Sequence, residues 1–240
     1  GASGARRSWG GAGRLVARRM GGAMSLMERP IAQPDEGTTC IAYLGTLNRT
    51  RQLDFLVRVF GRIRRRFPEA RLLFVGGGDE PQDEQWLRNA CAAEGVEGAV
   101  EITGLLPREQ ALDRVVSADV CVSPFAPIPI LQSTFPTKLV EYLAMGKAVV
   151  ANDHPEQRRI LTESGGGLCV PYQESAFAEA ICTLLADRQL AKTMGHRGRL
   201  YVEQNLVYDQ IVTIFEDSLR RVCSVRRGAD KDLNPAVGGG

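Results

Sequence analysis

Residues 133–151 are STFPTKLVEYLAMGKAVVA, and this stretch predicts a helix followed by a buried strand. A Ser-Thr pair precedes Pro136, and apolar side chains then recur at helical spacing until Gly146. The small and β-branched run at 148–150 indicates the strand. A helix that ends at a glycine directly before an apolar strand is typical of a parallel α/β sheet.

The start of this helix has the chemistry of an anion site. Pro136 suits a first turn because its missing N–H would have no partner there. The backbone N–H groups near Thr137 and Lys138 have the positive end of the helix dipole behind them, which favours a phosphate. One turn further in, Glu141 is placed to hold two sugar hydroxyls. An exposed carboxylate on an ordinary βα unit explains Glu141 equally well.

The middle of the chain alternates between apolar strands and amphipathic helices. Besides the strand just described, we predict strands at 40–45, 70–78 (with a glycine turn), 99–104, 119–125 and 167–171. Besides the helix just described, we predict helices at 53–67, 84–95, 107–116, 155–163, 177–187, 188–204 and 207–223. Six strands separated by helices predict a doubly wound, Rossmann-like parallel sheet, which binds ligands at the carboxyl ends of its strands.

The polar loops after these strands are therefore the places to look for a site. After the first strand, Arg49 and Arg51 could clamp a diphosphate, although a solvated turn is the alternative. The glycines at 76–78 lack the spacing of a nicotinamide-cofactor fingerprint and of an ATP-binding P-loop. The proline-rich segment 124–134 leads into the helix, and the polar segment 152–157 is expected at the same rim.

Composition and charge narrow the function classes. The net charge of +2 gives no support for a nucleic-acid partner. The six cysteines include no CxxC pair and no nearby histidine at ligand spacing, so we predict no metal site and a reducing, cytoplasmic environment. No apolar run in the sequence approaches the roughly 18 residues that a membrane span needs.

The two ends differ from the middle of the chain. Residues 1–38 are glycine-rich and arginine-rich, and we expect a disordered arm or the remnant of a preceding domain, with a transit peptide as the alternative. Residues 225–240 are expected to form a disordered tail. The chain starts with Gly1 rather than Met, which suggests a fragment. The folded domain is therefore expected over 39–224.

Four blocks in this order resemble the family-4 glycosyltransferases: GTLNRTRQLDFLVRVF, RLLFVGGGD, VEITGLLPREQALDRVVSADVCVSPF and FPTKLVEYLAMGKAVVA. The resemblance covers about residues 40–222 and is to the carboxyl-terminal, donor-binding half of the two-domain GT-B fold. It implies transfer of a sugar, with retention of configuration, from a nucleotide-diphospho-sugar to a sugar or lipid-linked acceptor. In such enzymes the nucleotide-sugar is a substrate, and neither a cofactor nor a bound metal is implied.

The resemblance also assigns the carboxylates of the donor site. The family has two glutamates separated by seven residues, and the second falls on Glu141, which would hold the ribose hydroxyls. The first falls on Ser133, which is a candidate donor-binding residue at that position, although the contact of the family's glutamate with the transferred sugar is not matched.

The phosphate-binding positions depart from the family in two places. The family has two basic residues that bind the diphosphate, and their positions are Thr46 and Arg51 in this chain. Only one of the two charges is therefore matched directly, and Arg49 is the candidate replacement for the other. The family's glycine in the helix-start loop falls on Pro136, which has no N–H to donate. Phosphate contacts are then expected from the neighbouring amides and from Lys138.

The resemblance finally implies a partner for this domain. GT-B enzymes carry an amino-terminal domain that binds the acceptor, and about 38 residues before the first strand are too few to form one. We therefore expect half an enzyme that works with an amino-terminal domain or a separate chain. The alternatives are a non-catalytic nucleotide-sugar-binding subunit and a GT-B nucleotide-sugar epimerase.

A run of arginines on the first helix raises the question of membrane contact. The run comprises Arg62, Arg64, Arg65 and Arg66. A solvated helix face is the favoured interpretation. Peripheral contact with anionic lipid heads on the inner face of the membrane is the alternative, and it would suit a lipid-linked acceptor.

Overall fold

The computed structural model describes Leu26 and residues 39–132 and 135–206. Several predictions lie outside the described residues. They concern Ser133, the helix at 207–223, the arm at 1–38 apart from Leu26, and the tail at 225–240.

The six predicted strands form one parallel sheet. They are β1 (Cys40–Leu44), β2 (Arg71–Val75), β3 (Val100–Ile102), β4 (Val120–Ser123), β5 (Val149–Asn152) and β6 (Gly167–Val170). Their spatial order is β3-β2-β1-β4-β5-β6, and every neighbouring pair is parallel. The doubly wound fold class is thus confirmed. The strand order reverses between β1 and β4, which is where ligands bind in sheets of this type.

The helices follow the predicted alternation. They are α1 (Asp54–Arg64), α2 (Pro81–Ala93), α3 (Arg108–Val116), the single turn α4 (Pro129–Gln132), α5 (Thr137–Ala144), α6 (Pro155–Ser164), α7 (Glu174–Ala186) and α8 (Arg188–Tyr201). A π-helical segment, Val202–Leu206, follows α8 directly.

Two helices begin earlier than predicted, and one short turn was not predicted. Helix α2 begins at Pro81, three residues before the predicted start, because Pro81 occupies the first turn and the Asp83 carboxylate accepts the Glu80 N–H at 3.2 Å. Helix α7 begins at Glu174, where its carboxylate pairs with arginines of α1. The proline-rich segment, predicted as a loop, contains the turn α4.

The core consists of one apolar cluster on each face of the sheet. The first cluster joins α1, α2 and α7 to the sheet, and it contains the predicted apolar side of α1. The second cluster joins α3, α5 and α6 to the opposite face. In α5 the predicted stripe of Leu139, Tyr142, Leu143 and Met145 is buried. This burial fixes which side of α5 is left to face the rim of the sheet.

The arginine run on α1 is partly neutralised by α7. Arg62 lies 3.0 Å from Glu174, and Arg66 lies 2.7 Å from Glu179. These ion pairs favour the solvated-face interpretation, because the positive charge of both arginines is matched within the protein. Within the described part of the chain, no helix has the length and apolar character needed to cross a membrane.

Two cysteines on strands differ in their burial. Cys121 in β4 is fully buried, and burial raises its pKa to about 12. Cys169 is only half-buried, because β6 is an edge strand of the sheet.

Helix α8 contacts the end of α5 through a glycine. A Cβ atom placed on Gly195 would lie 2.0 Å from the carbonyl oxygen of Gly146, the residue that ends the α5 turn. Gly146 itself has a positive φ of 71°, which suits glycine. The backbone of α8 therefore packs directly on the turn that links α5 to β5.

We expect Gly195→Ala to lower the free energy of unfolding by about 1–3 kcal/mol, because the added methyl forces one of these two backbones to move. Urea denaturation followed by circular dichroism measures the change. Gly98→Ala is the matched control, since a Cβ atom there meets nothing within 4 Å. The control should stay within about 0.5 kcal/mol of the parent protein, and an equal loss in both variants would contradict the packing argument.

Candidate functional site

The candidate site lies at the carboxyl ends of β1 and β4, where the strand order reverses. The loops after β1 and β2 are held together there by backbone hydrogen bonds. The Gly45 N–H donates to Val75 at 2.9 Å, and the Leu47 N–H donates to Gly77 at 2.9 Å. A Cβ atom on Gly76 would lie 2.2 Å from the Gly45 carbonyl oxygen, so only glycine allows this approach. The rim is thereby closely packed before any ligand binds.

Helix α5 is fastened to this rim by a buried tyrosine. The Leu44 N–H, at the end of β1, donates to the hydroxyl oxygen of Tyr142 at 2.7 Å. Tyr142 is fully buried, and burial raises the pKa of its hydroxyl well above its usual range, so the group stays neutral. The bond satisfies a strand N–H that would otherwise lack a partner in the apolar core. It fixes the position of α5 relative to β1.

Lys138 lies across the end of β1. Its ammonium donates to the Tyr43 hydroxyl at 2.8 Å and lies 4.2 Å from the centroid of the Tyr43 ring. A Cβ atom on Gly45 would be 3.1 Å from the ammonium nitrogen. The Tyr43 hydroxyl is also 3.4 Å from the carbonyl oxygen of Thr46. The structure therefore places a positive charge at Gly45, next in the chain to Thr46, where the basic residue of the family is not matched.

Glu141 lies on the same side of α5, three residues after Lys138. Its carboxylate accepts a hydrogen bond from Arg108, the first residue of α3, at 3.1 Å. The Glu141 side chain is 17% exposed, and that of Arg108 is 48% exposed. Sequence reasoning missed Arg108 because the two residues are separated by 33 positions and belong to different βα units. No local motif signals such a pair.

The two arginines predicted to bind a diphosphate lie on the loop after β1. They form the ends of a single 3₁₀ turn, Arg49–Arg51, in which Arg49 is exposed and Arg51 is half-buried. The preceding residue, Asn48, donates from its side-chain amide to Asp79 at 2.7 Å. This bond ties the arginine turn to the loop after β2. The positions of both arginines are compatible with the predicted role, which stays a prediction.

The start of α5, where phosphate contacts were expected from the amides near Thr137 and Lys138, has part of its N–H groups bonded within the chain. The Thr137 N–H donates to the Phe135 carbonyl at 2.9 Å, and the N–H groups of Leu139 and Val140 both donate to the Pro136 carbonyl. These three N–H groups are thus already used within the chain. The Lys138 and Glu141 side chains are the polar groups that α5 presents at this rim, where Thr137 is half-buried.

The polar segment after β5 was expected to line the rim, but three of its six residues, Asn152, His154 and Gln157, are buried instead. The Asn152 side chain accepts from the Phe125 N–H at 2.6 Å and donates to the Phe125 carbonyl at 3.0 Å. Gln157 bonds to both Ser123 and the Asn152 carbonyl. His154 is 1% exposed and contacts the Leu131 carbonyl at 3.1 Å. Asn152 and His154 thus hold the proline-rich segment, because they supply hydrogen-bond partners to its buried backbone at Phe125 and Leu131.

The sequence was compared with known families and proteins. The family model described as "Glycosyl transferases group 1" matches residues 38–187. A phosphatidyl-myo-inositol mannosyltransferase of Mycolicibacterium smegmatis is 30% identical over 188 residues, which are 76% of this chain and 46% of that enzyme. The chain thus spans about half the length of the curated relatives it matches.

Solved structures show the same fold. Anabaena HepE, in complex with UDP and glucose, superimposes with a TM-score of 0.63 at 17% identity, over 82% of this chain and 52% of that one. The carboxyl-terminal domain of a group 1 glycosyl transferase (LpcC) from Francisella tularensis has a TM-score of 0.60 at 13% identity. That alignment covers 78% of this chain and 92% of that domain, so the match is to a carboxyl-terminal half-domain.

We expect Tyr142→Phe to lower the free energy of unfolding by about 1–3 kcal/mol, because it removes a fully buried hydroxyl and leaves the Leu44 N–H without its acceptor. Urea denaturation measures the loss. Tyr201→Phe is the control, since the hydroxyl of Tyr201 contacts Glu163 at the surface and water can replace that bond. The control should change stability by no more than about 0.5 kcal/mol, and a Tyr142→Phe variant as stable as the control would refute the anchoring role.

Proposed function

Because the chain belongs to the glycosyl transferases group 1 family, we propose that it is the donor-binding half of a glycosyltransferase. In this proposal it binds a nucleotide-diphospho-sugar, and the sugar is transferred with retention of configuration to a sugar or lipid-linked acceptor. The acceptor is held by an amino-terminal domain or by a separate chain. One observation carries the proposal: Lys138 and Glu141 project from one side of α5 at the switch point of the sheet.

The positions of Lys138 and Glu141 along α5 support the binding of a nucleotide. Residues three apart on a helix are neighbours, with Cβ atoms about 5–6 Å apart. Lys138 supplies a cation for the diphosphate beside Gly45, and Glu141 supplies a carboxylate for the two ribose hydroxyls that follow. A single helix side then matches both parts of one ligand. Arg51, on the adjacent loop, supplies the second cation of the proposed diphosphate site.

Lys138 also accounts for the departure from the family at Thr46. Its ammonium donates to the Tyr43 hydroxyl, and the same hydroxyl lies 3.4 Å from the Thr46 carbonyl oxygen. The proposed site thereby regains a positive charge at the end of β1, although that charge comes from α5. Arg49 was expected from the sequence to replace the missing basic residue. It is exposed on its turn and is a further candidate for a diphosphate contact.

The nature of the acceptor rests on the relatives. The curated relatives that the chain matches are named phosphatidyl-myo-inositol mannosyltransferases, which supports a lipid-linked acceptor for this chain as well. The proposed reaction would place such an acceptor opposite the donor rim, in the cleft that the partner domain completes. Assays of transfer with candidate amino-terminal partners test this part of the proposal.

The proposed function predicts that the full chain binds uridine or guanosine diphosphate. Isothermal titration calorimetry measures the affinity. Lys138→Met keeps the length of the side chain and removes its charge, so we expect affinity to fall about 10-fold or more, as for loss of a charge-assisted bond. Lys192→Met, at an exposed position of α8, is the control and should bind as the parent does. Folded protein that gives no heat with either diphosphate at millimolar concentration would disprove donor binding.

The proposed function also predicts that Glu141 contacts the ribose hydroxyls. Glu141→Gln should weaken binding of a ribonucleoside diphosphate by about 10- to 150-fold, because a charge-assisted contact contributes roughly 1.5–3 kcal/mol. A 2′,3′-dideoxy analogue lacks the hydroxyls, so the same change should weaken its binding much less. Titration of both ligands into both proteins makes the comparison. Equal losses for the two ligands would mean that Glu141 does not contact the ribose.

A further inference from the structure

The ion pair between Arg108 and Glu141 joins two helices that no backbone hydrogen bond connects. The guanidinium Nη1 donates to the carboxylate Oε1 at 3.1 Å. The pair is unequally buried, because the Glu141 side chain is 17% exposed and the Arg108 side chain 48%. In another ion pair of α3, the side chain of Arg114 is 45% exposed and that of its partner Glu101 is 56% exposed. Arg108 therefore holds a carboxylate that is mostly shielded from water.

The chain before α3 directs Arg108 toward α5. Gly104 adopts a φ of +68°, which turns the backbone after β3 in a way that suits glycine. Pro107 then precedes the helix with φ −52° and ψ 142°, so the chain enters α3 at a restricted angle. Arg108 is the first helical residue, at the carboxyl edge of the sheet, and its side chain reaches Glu141 across the rim.

A free glutamate side chain has several rotatable bonds, and a ligand that binds it must immobilise it. Ordering one such side chain costs about 0.5–1.5 kcal/mol. An ion pair that already holds the carboxylate removes part of this cost. Arg108 bonds to one oxygen, while a carboxylate offers about four lone-pair sites, so Glu141 can accept from the ribose hydroxyls without releasing Arg108.

We propose that Arg108 is a positioning residue that orients Glu141 for the two ribose hydroxyls, and so contributes to selection of ribonucleotides over deoxyribonucleotides. This inference rests on the proposed function, since it requires a nucleotide at the rim. Arg108 acts through Glu141 and need not touch the sugar that is transferred. The opposite arrangement, in which Arg108 competes with the ribose for the carboxylate, predicts the opposite effect of removing it.

The test uses uridine diphosphate and its 2′,3′-dideoxy analogue, titrated into the full chain by calorimetry. The readout is the ratio of the two dissociation constants, which cancels any change common to both ligands. Arg108→Ala should reduce the preference for the ribonucleotide by roughly 2- to 13-fold and leave the dideoxy affinity within about 2-fold. Arg108→Lys keeps a cation of similar reach and should restore part of the preference.

Arg114→Ala is the matched control, because it removes an arginine and an ion pair from the same helix. The control should keep the parent ratio. A ratio unchanged in Arg108→Ala overturns the positioning role, and a higher ratio overturns it in favour of competition. A parent protein that binds neither ligand defeats the proposed function and this inference together. A parent that binds both ligands equally leaves diphosphate binding intact and defeats the ribose contact and its positioning.

Discussion

The hydrogen bond between the Leu44 N–H and the Tyr142 hydroxyl is the constraint on which the arrangement of the rim depends. It joins the last residue of β1 to the middle of α5, two elements separated by 98 positions in the chain. Hydrophobic packing alone would hold α5 against the sheet, but such packing is not directional. A buried hydrogen bond has a preferred length and angle, so it also sets where along β1 the helix sits.

The placement of α5 explains why the polar groups of the site come from so few elements. Once Tyr142 faces the core, the helical repeat turns Lys138 and Glu141 toward the rim, where Gly45 leaves room beside the ammonium. The Lys138 ammonium lies over the Tyr43 ring, and Arg108 of α3 donates a hydrogen bond to Glu141. The cation of Lys138, the carboxylate of Glu141 and the cation of Arg108 then lie at one rim of the sheet.

The sequence predicted the sheet and α5 well, because both depend on local patterns. Apolar runs mark buried strands, and a proline start and glycine stop mark the helix. The contact between Arg108 and Glu141 could not be predicted this way, since it depends on how two βα units pack. The burial of Asn152 was also missed, because polar residues after a strand usually face solvent at the rim. Here the adjoining proline-rich backbone needs hydrogen-bond partners, and that need outweighs the cost of burying an amide.

The pairing of Asn152 with Phe125 restricts what the chain can carry at position 152. A primary amide presents an acceptor and a donor side by side, as a peptide group does, and Asn152 uses both on the N–H and the carbonyl of one residue. The side chain thus behaves as an additional rung of the ladder between β4 and β5, beyond the point where the backbones part. Aspartate would match only the N–H and would bury a charge, and leucine would match neither group. Few substitutions of Asn152 can therefore preserve both hydrogen bonds, even though Asn152 contacts no proposed ligand.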